Sequence, residues 1–170
     1  MATSLAVQLR AAINATFTDD QDLSDPTAAV ALSALESLAN GTSNVQADLV
    51  WSDTRTIAAS SSEVLDLGTG GGLTTPFGAA FSPAEVVAIL LIADSGNTNN
   101  VIFGNNATED FVGWFGAATH TIAVKPDGWM FNFAPAGWTV TNNSSDKIKI
   151  ANSGAGTGVT YSIVIVGRSA

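Results

Sequence analysis

The sequence lacks cysteine, has a single histidine and carries few charged side chains. Only 12% of its 170 residues are Asp, Glu, Lys or Arg, about half of the usual share for a soluble domain. Without cysteine there is no disulfide, no thiolate metal site and no cysteine nucleophile. A domain of this length buries a core that needs no cross-link. The composition therefore predicts one domain, with room for a separate arm at one end.

Basic charge is also scarce. Six Lys and Arg residues stand against 15 Asp and Glu residues, which gives a net charge of −9. The six are scattered, whereas binding to a phosphate backbone needs clustered positive charge. We therefore predict no direct contact with nucleic acid or with an anionic membrane. A surface that faces another protein remains compatible with this charge.

Long apolar runs are missing as well. The longest, residues 86–93, is far shorter than the ~20 residues of a membrane-spanning helix. Near the start of the chain, Gln8 and Arg10 interrupt the apolar stretch, and no basic residue precedes it. The sequence therefore predicts neither a membrane span nor a secretory signal peptide.

Small and uncharged residues supply most of the polarity. Gly, Ala, Ser, Thr and Asn are abundant, which is typical of β-sheets with tight turns. It is also typical of surfaces that pack against other subunits, because the centres of interfaces are depleted in charge. A neutral-surfaced β protein without partners would have the same composition. We favour the assembly subunit.

The chain divides near Gly41. Residues 48–170 contain short apolar runs separated by Gly, Asn, Asp and Pro, a spacing that indicates a sandwich or a barrel. We predict an all-β protein: a jelly-roll-like β-sandwich over residues 46–170 with an N-terminal arm over residues 1–45. The arm is ambiguous, because alternation at 5–9 indicates a strand while spacing at 30–38 also fits a helix. We favour an extended arm.

Several local patterns predict individual elements. Residues 159–166 form the clearest strand, with one end buried on both faces. Ser82, followed by Pro83 and Glu85, predicts a short helical turn, and a buried central strand follows over 86–93. The turn at 126–128 predicts a hairpin with one aromatic face between 120–125 and 129–133.

The residues that could act in catalysis or bind a ligand lack the neighbouring residues that such a site requires. His120 precedes a strand and has no local nucleophile or orienting group. The glycine run at 68–72 lacks the Gly-Lys-Ser/Thr ending of a phosphate-binding loop. The acidic stretch at 19–25 could collect Ca²⁺ through carboxylate oxygens, but it lacks the spacing, the glycine and the terminal Glu of an EF-hand loop, so we favour a solvated acidic linker. We predict that the protein is not an enzyme and holds no cofactor or metal.

Aromatic side chains concentrate between residues 111 and 138. They could form a platform on which a glycan stacks, or the aromatic core of a sandwich together with contacts between subunits. We favour the core, because alternation already places Phe131 and Phe133 on one buried face. The candidate contacts with a partner or a glycan are Trp114, Trp129 and Trp138.

The order of motifs resembles that of small virion structural proteins encoded among the head and tail genes of tailed bacteriophages. The resemblance covers roughly residues 40–170. It lies in QADLVWSDTRTIAAS at 46–60, EVLDL at 63–67, LTTPFGA at 73–79, NTNNV at 97–101 and ANSGAGTGVTYSIVIVG at 151–167. It implies a β-sandwich subunit in a capsid decoration, head-fibre or tail position, and it carries over no functional residue.

This resemblance sets the functional expectations. The first is a capsid decoration or cement protein of the virion that binds and stabilises the assembled shell. Its partners would be the major capsid or tail proteins of the same particle and further copies of itself, with a trimer favoured. The alternative is a tail or fibre component that recognises a host-surface glycan. A glycan hydrolase is the third, but it needs paired carboxylates, and Glu63 and Asp66 have opposite strand parity.

Overall fold

The structure, a computed structural model, describes residues 4–169. Within this range the chain forms eleven strands and no helix, so no helix is long and apolar enough to cross a membrane. The strands are β1 (Val7–Thr18), β2 (Thr27–Asn40), β3 (Gln46–Ala47), β4 (Leu49–Ile57), β5 (Ser62–Asp66), β6 (Glu85–Ala93), β7 (Val101–Gly104), β8 (Thr121–Val124), β9 (Trp129–Thr139), β10 (Lys147–Asn152) and β11 (Val159–Arg168).

Two four-stranded antiparallel sheets form the body of the protein. The first sheet has the order β4-β11-β6-β9 and the second has the order β5-β10-β7-β8. One large apolar core, which includes Ile89, Phe103 and Ile150, unites buried side chains of both sheets. The prediction of an all-β sandwich is confirmed.

Alternation of apolar and polar residues explains the strands. In β11, Val159, Tyr161, Ile163 and Ile165 are buried on one side, and at the far end Val166 is buried on the other side too. The predicted strand at 159–166, with one end buried on both faces, is therefore confirmed. Burying each large apolar side chain contributes about 1.5–3 kcal/mol to folding.

The predicted helical turn at 82–85 is wrong, although the buried central strand after it is confirmed as β6. The backbone here bonds to other parts of the chain: the Ala84 N–H donates to the Arg168 carbonyl, and the Val140 N–H donates to the Ala84 carbonyl. Glu85 is already the first residue of β6. Long-range pairing therefore overrides the local helix signal.

The predicted hairpin around 126–128 is also wrong. The turn itself forms, with the Gly128 N–H donating to the Lys125 carbonyl and Asp127 at a φ of 61°. However, β8 pairs with β7 in the second sheet, whereas β9 pairs with β6 in the first. The turn chemistry reverses the chain, but the choice of partner depends on the strongly apolar β6.

The N-terminal segment is a long β-hairpin. Strands β1 and β2 pair without interruption from Val7 with Leu38 to Thr18 with Thr27. The short β3 then pairs in parallel with the end of β2. We call residues 7–40 the arm. The described part of the predicted 1–45 segment thus consists of this hairpin, its acidic tip and the turn that follows.

Candidate functional site: the arm and the sheet face beneath it

The base of the arm packs on the body. Val7, Leu9 and Leu38 contact the outer face of the first sheet in a second apolar cluster, which includes Val87, Ala88 and Val166. The outer face of a sheet normally meets solvent, yet here Val87 and Ala88 are almost fully buried. The arm therefore begins as a third layer on the sandwich.

The same face of the arm continues as an apolar surface beyond its base. Side chains alternate between the two faces of a strand, so the face that starts with Val7 and Leu9 continues through β1, and the pairing adds its partners in β2. Its members are Ala11, Ile13, Ala15, Phe17, Ala28, Val30, Leu32 and Ala34. We call these eight residues the apolar arm face.

The large residues of this face are exposed. Ile13 is 69% exposed, Phe17 74% and Leu32 73%. The opposite face carries mainly small or polar residues, apart from Leu35, which is also 69% exposed. Because these apolar residues are exposed on one side, the arm presents the kind of surface that becomes buried when another protein binds. Such a contact would also stabilise the arm, since an isolated two-stranded hairpin is only marginally stable in water.

Charged residues are absent from the shaft of the arm, which we define as residues 11–18 and 27–35, and are concentrated in the loop at its tip. No Asp, Glu, Lys or Arg occurs at 11–18 or 27–35, whereas the connecting loop contains Asp19, Asp20, Asp22 and Asp25. These four carboxylates are exposed. Like charges at a strand end discourage unspecific edge-to-edge pairing. The arrangement thus favours contact through the shaft and hinders it at the tip.

An apolar groove of about 310 Å³ lies beside the base of the arm. Residues 7–10 of β1 form one wall. On its floor, Leu90 lies in register between Val164 and Phe131, and Trp129 stands opposite Ile92 in the next row. Trp129 is 64% exposed. We call this the sheet groove.

The buried guanidinium of Arg168 ties the root of the arm to the body. It donates to the Glu85 carboxylate and the Ala136 carbonyl, and its Nη1 donates to the carbonyls of Ser43 at 2.7 Å and Pro135 at 3.1 Å. Ser43 lies in the turn between β2 and β3, while Pro135 and Ala136 belong to β9. Arg168 thereby holds the turn after the arm against the first sheet.

The three candidate tryptophans occupy two different environments. Trp114 packs edge to face against Phe111 at 4.7 Å and Trp138 at 5.2 Å between ring centroids. Both tryptophans border the main core, which agrees with the favoured core interpretation. Trp129 lies instead on the outer face of the first sheet. It is the one of the three that a partner reaches most easily.

A polar cluster joins the two sheets at one edge. The Tyr161 hydroxyl donates to Glu63 Oε1 at 2.9 Å, and Arg55 Nη1 lies 2.7 Å from Glu63 Oε2. Burial, together with the negative charge of Glu63, raises the pKa of the Tyr161 phenol far above its ordinary value. The phenol therefore stays protonated and acts as a donor that links β11 to β5.

Among residues 4–169, two buried carboxylates each have one oxygen without a hydrogen-bond partner, Asp110 Oδ2 and Asp146 Oδ1. Burial raises the pKa of Asp110, while a hydrogen bond from the Asn106 backbone acts in the opposite direction. A buried carboxylate with an unpartnered oxygen reduces stability when it is charged.

The other residues considered for catalysis or metal binding do not come together in one site. His120 is exposed in the turn before β8, and the acidic residues at 19–25 lie at the exposed tip of the arm. Glu63 is engaged by Arg55 and Tyr161, whereas Asp66 Oδ1 accepts the Gly68 N–H. Across residues 4–169, no group of three or more His, Asp or Glu side chains is arranged to hold a metal ion.

The one-sided arm and the role of Arg168 were not predicted from the sequence. The first had a detectable signal: two alternating apolar runs flank an Asp-rich turn, and in hairpin register their apolar positions coincide. The second had none, because the acceptors of Arg168 are 32 to 125 residues away along the chain. No protein-family model matches the sequence, and no curated protein is significantly similar to it.

Proposed function

We propose that this protein is a structural subunit of a tailed-bacteriophage particle, a capsid decoration protein that binds and stabilises the assembled shell. The observation that carries the proposal is the apolar arm face, which is exposed, free of charge and continuous with side chains that pack on the first sheet at the base of the arm. Such a surface is suited to contact with a neighbouring subunit rather than to chemistry.

The strand order supports a viral role. Counted from β4 as the first strand, the first sheet has the order 1-8-3-6 and the second has the order 2-7-4-5. Eight strands in two antiparallel sheets with this order support a jelly-roll arrangement, which is frequent in viral capsid domains and also occurs in lectins. Fold alone does not decide function, so the proposal depends on the arm.

The mechanism follows from the division into arm and body. The sandwich is the rigid part, and Arg168 holds the root of the arm in place. The arm then docks on a neighbouring subunit of the particle. A protein that binds the assembled shell but not the free coat protein stabilises the shell by mass action.

Co-sedimentation with purified shells tests this function. We expect the wild-type protein to bind shells stoichiometrically and to bind free coat protein only weakly. The double variant Ile13→Ser/Leu32→Ser removes two facing residues of the apolar arm face and should lose binding. Leu35→Ser is the matched control, since Leu35 is as exposed as Ile13 but lies on the opposite face. Equal binding of free coat protein and shells would contradict the proposal.

One observation favours a second function, recognition of a host-surface glycan by a tail or fibre component. The exposed indole of Trp129 lies on an open sheet face, and aromatic faces are suited to stacking on other rings. In that case the isolated protein should bind host cells, and Trp129→Ala should abolish binding. Cell binding that survives Trp129→Ala would remove this alternative.

A further inference from the structure

We infer that a second copy of this chain covers the apolar arm face, and that large side chains of one subunit's arm pack into the sheet groove of its neighbour. The inference rests on the proposed function in one respect: both use the arm as the docking element. It adds the identity of the neighbour and the place where the arm lies.

At the base of the arm, one face of the hairpin already packs on the outer face of the first sheet. The side chains that do so are Val7, Leu9 and Leu38. The sheet groove is the part of the same sheet face that the chain's own arm leaves open. The apolar arm face repeats the chemistry of the base, with Ile13 and Leu32 side by side in register. A neighbour's arm would therefore extend a contact that exists within each subunit.

The charge distribution allows contact between two copies in spite of their net charge. Two molecules of net charge −9 repel each other, so a stable contact between them needs surfaces without negative charge. The shaft of the arm meets this condition, and Arg10 is the one charged residue among those of the described chain that line the sheet groove. Arg10 is positive and therefore attracts the acidic tip of an arriving arm.

The length of the arm is sufficient. Residues 11–18 of β1, at about 3.4 Å per residue, extend roughly 27 Å, the scale of a neighbouring domain. In a dimer that exchanges both arms, the two apolar arm faces cover on the order of 600 Å², and the facing groove surface adds to it. This matches the low end of the size range of specific interfaces.

Copies that exchange arms can form a closed ring. Every copy carries one arm and one sheet groove, so a ring of copies leaves neither surface uncovered, as closed symmetry requires. In such a ring the apolar arm face is covered by the neighbouring copy, so the other surfaces of the oligomer bind the shell. Loss of the oligomer through an arm variant then weakens shell binding by lowering its avidity.

Sedimentation-velocity ultracentrifugation of the full chain, without shells, tests the inference. We expect the wild-type protein to form a discrete oligomer over a micromolar concentration series. Ile13→Ser/Leu32→Ser in the arm, and separately Trp129→Ser in the groove, should each weaken association at least about tenfold, while Leu35→Ser should not. Thermal melts of the variants check that the body still folds, since all four positions are exposed.

Mixing the two defective variants adds a stricter test. The arm variant keeps an intact groove and the Trp129→Ser variant keeps an intact arm, so the mixture retains one good contact per pair and should associate more strongly than either variant alone. Arms that pack only against each other would give no such rescue, and Trp129→Ser would leave the oligomer intact. Either of these results would overturn the inference.

The outcome separates this inference from the proposed function. A wild-type monomer that still binds shells through its arm would overturn the second copy as partner and leave the function standing. An arm-dependent oligomer that ignores shells would support the arm exchange and contradict the capsid function.

Discussion

Removing the buried guanidinium of Arg168 should destabilise the protein more than removing any cation at its surface. The Arg168 side chain is only 4% exposed, so water neither screens its interactions nor replaces them. Arg168→Ala removes one hydrogen-bond donor from the Glu85 carboxylate and from each of three backbone carbonyls. Breaking a buried ion pair by removing one partner costs about 3–5 kcal/mol. Because Glu85 is partly exposed and can be rehydrated, we expect about 3 kcal/mol.

Urea-induced unfolding of the purified protein measures this loss directly. Arg55→Ala is the comparison, because Arg55 also pairs with a carboxylate but its side chain is 33% exposed, for which about 1 kcal/mol or less is expected. Arg168→Lys should recover only part of the loss, since an ammonium lacks the planar fork that serves several acceptors. A free energy of unfolding for Arg168→Ala equal to that of Arg55→Ala would refute the reasoning.

A local effect should accompany the global one. The Val45 N–H donates to the Pro135 carbonyl, the same carbonyl that accepts from Arg168. In Arg168→Ala the turn between β2 and β3 loses its main attachment to β9. Hydrogen exchange of the Val45 amide should therefore accelerate more than that of amides in β11, which are held by pairing on both sides.

Two further substitutions test the buried polar groups. Asp110 has a pKa raised by burial, so its contribution to stability is present below the unfolded pKa of about 4 and is lost as the pH rises through the folded pKa. Asp110→Asn should thus raise the urea midpoint at neutral pH but not at low pH, whereas Asp127→Asn, at an exposed position, should change neither; a pH-independent difference would contradict this. Tyr161→Phe should cost about 1 kcal/mol. Since the pKa of Tyr161 is raised, the free energy of unfolding of the wild-type protein should fall at strongly alkaline pH, whereas that of Tyr161→Phe should not show this fall. The same dependence of stability on alkaline pH in both proteins would argue against a buried phenol bound to Glu63.

The body of the fold was predictable because its signal is local. In β10, lysines at 147 and 149 alternate with buried isoleucines at 148 and 150, and a period of two indicates a half-buried strand whatever its partners are. The same holds for β11. Patterns of this kind identify strands without identifying their neighbours.

Pairing and tertiary contacts were less predictable. The turn at 126–128 was identified, but its two flanking strands belong to different sheets. Ser82 and Pro83 are residues that favour the start of a helix, yet the backbone of Ala84 forms hydrogen bonds with Arg168 and Val140 instead. In both cases contacts between residues far apart in the chain outweighed the local preference.

The candidate site was predicted in part. The abundance of alanine in the arm fits both a helix and a strand, so the arm was expected without its hairpin or its single apolar face. Of the three candidate tryptophans, only Trp129 lies on the proposed docking surface, because Trp114 and Trp138 are drawn into contacts with each other and with Phe111. Exposure of an aromatic residue depends on what packs around it, which the residue type does not reveal.

The accessibility of single cysteines placed on the two faces of the arm tests the central claim most directly. The chain has no cysteine, so Ala15→Cys labels the apolar arm face and Thr16→Cys labels the opposite face, each with a unique thiol. Both positions are exposed in the subunit. The account predicts that assembly protects the thiol at 15 from alkylation and leaves the thiol at 16 reactive. Equal reactivity of the two thiols in the assembled state would contradict it.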